Sequence, residues 1–115
     1  INIIIYYKYK MYKFFKLERE EDGVHKWFIQ FINMKTNKLK TIKFGGYGYD
    51  DYTSFPENIR EQKKINYIKR HKKRENWEDP LSKGALSKWI LWNKPSIIES
   101  LRDYLTYFRT KKLIL

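Results

Sequence analysis

KFGGYGYDDYT, residues 43–53, interleaves three glycines with three tyrosines and carries a pair of aspartates near its end. The stretch could hold a phosphate, carry chemistry, or turn a corner between two kinds of secondary structure. Gly46 and Gly48 supply the first half of a G-x-G-x-x-G fingerprint, but Asp51 occupies the third glycine position and no β-α-β unit follows. A Walker lysine is missing as well, and Asp50 and Asp51 would repel a phosphate where such loops present backbone N–H groups. The two acids also make a poor metal site, since adjacent side chains diverge and other acids are not suitably spaced. The remaining reading is conformational. Glycine allows positive φ and close backbone approach where strands give way to helices, with Tyr47, Tyr49, Tyr52 and Phe55 anchoring the crossing in the core. The rival use for these aromatics is stacking on exposed bases beside a basic helix.

Upstream of the corner, MYKFFKLER from Met11 reads as a strand, and EEDG at 20–23 as a turn. HKWFIQFIN follows as a second strand, placing Trp27, Ile29 and Phe31 on one side, and LKTIKF at 39–44 as a third. The expectation is a three-stranded antiparallel meander whose apolar face needs a cover. Residues 1–10, INIIIYYKYK, consist only of residues that A/U codons can encode, and Met11 follows directly. They are read as an untranslated leader or a disordered N-terminal arm, with residues 11–115 as the single domain.

Downstream, three helices are expected to pack on one face of the meander. The first runs from Pro56 to about Glu75. The second, LSKGALSKWILW, takes Asp79 as N-cap and Pro80 as its first residue, and sets Leu86, Trp89, Ile90 and Trp92 toward the core. The third starts from a capping box of Ser96 and Glu99, behind which Ile97, Leu101, Tyr104, Leu105 and Phe108 recur on one face. The fold class is therefore α+β.

The chain of 115 residues suits one core, and 25 Lys and Arg against 13 Asp and Glu give a net charge of +12. Such a field attracts polyanions: nucleic acid, an acidic protein surface or an anionic membrane face. Cysteine is absent and histidine occurs twice, which excludes disulfide frameworks and thiolate metal sites. Without a long apolar run or an ordered signal peptide, the chain reads as soluble and intracellular, with no cofactor and no small-molecule substrate.

The charge is most concentrated in the first helix. Between Ile59 and Arg74 stand eight basic residues and one acid, Glu61, a local +7. On a helical wheel Lys63, Lys69, Arg70, Lys73 and Arg74 share one arc, opposite Ile65, Tyr67, Ile68, His71 and Glu75. A merely solvated helix would intersperse acids to relieve repulsion, so this arc is read as the surface that binds an anionic partner. His71 and Glu75 lie four residues apart on the same side, as a general base and its orienting carboxylate would. The same spacing suits a histidine satisfied by a glutamate beside Trp77. No nucleophile or second acid is tied to the pair by local spacing, so its reading is structural and no catalytic residue is assigned.

The succession KFGGYGYDDYT, NYIKRHKKRENWEDP and GALSKWILWNKPS resembles a family of small basic proteins of nucleocytoplasmic large DNA viruses, over roughly residues 40–108. The likeness rests on Gly45, Gly48, Tyr49, Asp51, Tyr52 and Thr53, then on Tyr67, Ile68, Arg70, His71, Glu75 and Trp77, and last on Gly84, Leu86, Ser87, Leu91, Trp92 and Asn93. The resemblance implies no enzymatic activity. It implies a viral protein in the host cytoplasm or viral factory, or in the virion itself, whose acidic partner is a capsid protein or nucleic acid. A dedicated nucleic-acid-binding regulator is the alternative, and an enzyme using His71 and Glu75 the third.

Overall fold

The computed structural model describes residues 3–110, so the expectations placed on residues 1, 2 and 111–115 lie outside the described residues. Four antiparallel strands form one sheet in chain order: β1 (Ile4–Tyr7), β2 (Lys10–Arg19), β3 (His25–Asn33) and β4 (Leu39–Gly46). The three-stranded meander is thereby corrected. The additional strand is β1, which runs through the segment expected to stand outside the domain and puts Ile5 wholly into the core. It joins β2 through a two-residue turn, Lys8–Tyr9, with φ of 47° and 64°. Both residues adopt the positive φ of a mirror-image hairpin turn without being the Asn or Gly that normally announces one.

Alternation along the strands gives the sheet two unlike faces. Ile5, Tyr12, Ile29, Phe31, Ile42 and Phe44 point to the core, where Leu86, Ile90, Leu91, Tyr104, Leu105 and Phe108 meet them from the helical side. The helices are α1 (Glu57–His71), the short α2 (Lys83–Leu86), which continues into a π-helical turn (Ser87–Leu91), and α3 (Ile97–Arg109). The sequence signals behave differently from helix to helix. Ser96 caps α3 by accepting from Glu99 N at 3.3 Å, and Tyr104, Leu105 and Phe108 are buried as their period requires. The cap of α2 is Ser82, accepting from Ala85 N, and not Asp79. Asp79 instead closes the preceding turn on Leu81 N, and buried Pro80 lends its carbonyl to the Tyr104 hydroxyl at 2.6 Å.

The three helices do not share the cover equally. α3 and the α2–π segment pack against the sheet, whereas α1 buries only Tyr67 and leaves Ile59 and Ile65 exposed. Its expected apolar side thus shrinks to one ring with half-buried neighbours. The helix also stops at His71, after which Lys72–Arg74 turn the chain and return Glu75 toward the His71 ring.

Candidate functional site

The corner works through backbone geometry. Gly45 has φ +79°, and a β-carbon there would lie 2.8 Å from Leu91 Cδ1. Gly48 also has positive φ, +88°, with open space around it. The tyrosines on the corner do not anchor it: Tyr47 is 65% and Tyr49 78% exposed, so the expectation that Tyr49 belongs to the core is corrected. Tyr52 is half-buried and donates its hydroxyl to Glu61 Oε2 at 2.8 Å, which with partial burial raises its pKa. Phe55, half-buried, tilts against Trp92.

The corner is organised instead by Asp51. Its carboxylate is 5% exposed and accepts from Lys26 Nζ at 2.6 Å, Thr53 N at 2.8 Å and Thr53 Oγ1 at 2.5 Å. Its carbonyl accepts from Ser54 N and Phe55 N. This Lys26–Asp51 pair is the feature that sequence reading missed, because its partners stand 25 positions apart and no local spacing joins them.

α1 is fastened to this corner by a stack of rings. Tyr67 lies 4.5 Å from Trp92 at 7°, and His71 lies 4.3 Å from Tyr67 on its other side. Burial pushes the Tyr67 hydroxyl well above its ordinary range, and the charge of Glu75 adds to the effect. His71 Nδ1 is 3.2 Å from Glu75 Oε1, and Lys64 reaches across to the Asn93 carbonyl at 3.0 Å. Gly84 lets the Glu75 carboxylate approach α2, since a β-carbon there would overlap it.

Between these parts lies an open cleft of about 400 Å³. It is lined by Gly45, Asp51 and Tyr49 of the corner, Tyr67, Arg70, His71 and Glu75 of the α1 end, and Gly84 and Trp92 of the α2–π segment. Residues of the corner, the α1 end and the α2–π segment therefore meet at one place. Lys26 and Lys83 also line it. Trp77 and Trp89 stand elsewhere, half-buried, with Lys88 Nζ 5.2 Å and 4.6 Å from their rings. The partial burial of Lys88 there lowers its pKa.

Of the five cations assigned to partner binding, Lys63, Lys69 and Arg70 stand on α1, while Lys73 and Arg74 fall in the turn after it and not on the expected helix; all five are exposed. Ion pairs among the described residues engage Lys16, His25, Lys26, Lys43, His71 and Lys94, and none of the five. Lys63 lies over the Phe55 ring at 5.3 Å, and Arg70 stands at the cleft. Among the described residues no group of three or more His, Cys, Asp or Glu could hold a metal ion, and no helix is long and apolar enough to cross a membrane. No family model, curated protein or solved structure matches the chain.

Proposed function

We propose that the protein is a non-catalytic viral docking module that engages an acidic macromolecule, a capsid protein or the packaged genome, through the outward cations of α1 and of the turn that follows it. The observation that carries this reading is the set of five exposed basic side chains along α1 and the turn that follows it, none of them paired with a carboxylate among the described residues. Tyr67 is the buried residue of α1, and the contacts of the helix with the corner run through Tyr67, His71, Glu61, Lys63 and Lys64, leaving Lys69 and Arg70 to the exposed side. Unpaired like charges repel one another in the free protein and are relieved when an anionic surface arrives.

The test is charge reversal at Lys69, Arg70, Lys73 and Arg74 in one variant. The variant should keep the circular dichroism of the parent and lose binding to the partner. Titration of the parent against random duplex DNA separates the two partner classes. Affinity falling steeply with salt, by nearly one logarithmic unit per phosphate contact for each tenfold rise in salt concentration, would favour the genome or a nucleic-acid regulator. Negligible binding at moderate ionic strength would leave the acidic protein surface. Retained partner binding after charge reversal would remove the proposal.

One observation favours a second reading, acid–base chemistry: the cleft is open beside His71 and Glu75, whose side chains are 31% and 27% exposed. The hydrogen bonds found among the described residues tie no nucleophile or second acid to that pair, and docking is accordingly the reading advanced.

A further inference from the structure

The sheet face turned away from the helices carries a second surface. Register places Lys13 beside Ile32, Lys16 beside Gln30 and Lys43 beside Phe28 on this outer side, and none of these residues belongs to the core. A bulge between Phe14 and Lys16 inserts Phe15 as an extra residue, 53% exposed. Lys16 Nζ lies 5.7 Å from the Phe15 ring and 5.7 Å from the Phe28 ring, so all three share one patch. Beside them Gln30 Nε2 donates to Thr41 Oγ1 at 3.0 Å.

The charge around this patch is one-sided. Lys13 and Lys16 stand on the face itself, and Lys8, Lys35 and Lys38 are exposed in the two turns at one end of the sheet, while residues 3–16 and 29–41 contain no Asp or Glu. Of the acids on this side, Glu20 and Asp22 stand at the opposite end and pair with Lys43, whereas Glu18 lies beside Phe28 and pairs with Lys16.

We infer that this uncovered sheet face binds single-stranded nucleic acid, with Phe15 and Phe28 as stacking platforms and Lys13 and the turn lysines Lys8, Lys35 and Lys38 as phosphate contacts. The chemistry is specific to that occupant. The exposed Phe15 ring and the half-buried Phe28 ring offer π-faces to unpaired bases on a rigid sheet, and lysines around them follow a phosphate backbone. An amide and a hydroxyl in the middle of the face can hydrogen-bond base edges, whereas they would oppose insertion into a lipid interior. A duplex hides its base faces and would exploit only the lysines.

The inference is independent of the α1 reading, because α1 lies on the helical side of the sheet and uses other residues. The experiment measures fluorescence anisotropy of a labelled oligothymidylate of about 15 nucleotides, its duplex form and anionic phosphatidylserine vesicles. Single-strand binding by the parent should exceed duplex binding. Phe15→Ala/Phe28→Ala should weaken it by roughly tenfold or more while duplex binding stays unchanged, and Lys13→Glu/Lys16→Glu should reduce its salt dependence. The α1 charge-reversal variant should retain the single-strand preference. If the double alanine variant does not fold, Phe15→Leu, which removes only the exposed ring on the bulge, carries the test. Equal affinity for single and double strands, unchanged affinity after loss of the rings, or binding to vesicles alone would overturn the inference.

Discussion

Lys26 and Asp51 show how much one contact can contribute when it is closed to water. Their side chains are 14% and 5% exposed, and Lys26→Met would leave the carboxylate buried with only its Thr53 contacts. Removing one partner of such a pair costs about 3 kcal/mol, against less than about 1 kcal/mol for an exposed pair. Urea denaturation should therefore separate Lys26→Met from Lys16→Met, whose partner Glu18 is 56% exposed. Asp22 offers a second test. Hydrogen bonds from the His25 backbone, the His25 ring and the Val24 backbone, with a smaller one from Lys43, hold its carboxyl well below the ordinary 3.8. A depressed folded-state pKa stabilises above the unfolded value, and that stability is lost as pH falls below about 4. Asp22→Asn should flatten the decline of the thermal midpoint between pH about 4 and about 2; an unchanged decline would assign it to other carboxyls, such as Asp103, also lowered by Asn93 and Lys94. At this scale the glycines were legible, because the positive φ of Gly45 and Gly48 is a property of the residue type. The exposure of Tyr47 and Tyr49 was not, because a tyrosine suits a core and a surface equally well.

Among the elements, α1 depends on the fewest contacts. Tyr67 is its only buried residue, held between His71 and Trp92. Tyr67→Ala should cost about 3 kcal/mol by analogy with other buried aromatic truncations, and the loss should be local. Amide hydrogen exchange should accelerate throughout α1 while β2, β3 and α3 keep their protection; uniform acceleration would show that the helix is integral to the cooperative core. The elements also differ in how plainly the sequence announced them. α3 was readable from Ser96 and its apolar period, since cap and face are both local signals. β1 was not, because its turn uses Lys8 and Tyr9 where turn chemistry leads one to expect Asn or Gly. The start of α2 was misplaced because Asp79-Pro80 and Ser82 both satisfy capping rules, and the tertiary bond from Tyr104 to the Pro80 carbonyl decides between them.

For the molecule as a whole, the positive excess among the described residues is densest at two places, α1 with the turn after it and the end of the sheet that carries Lys8, Lys35 and Lys38. The cleft where corner, α1 end and α2–π segment meet was legible only as three separate motifs, because their convergence depends on which ring packs on which. Self-repulsion within each surface opposes folding, and the exposed ion pairs are too few and too solvated to offset it. Added salt shortens the reach of this repulsion from about 30 Å at 0.01 M to about 8 Å at 0.15 M, while hardly touching the buried Lys26–Asp51 pair. The thermal midpoint of the free protein should therefore rise by several degrees as sodium chloride increases over that range. The α1 charge-reversal variant, whose formal charge is lower, should rise less. A midpoint that falls with salt would mean that attractive pairs outweigh the like-charge surfaces, and the repulsion that drives docking in the proposed function would lose its physical basis.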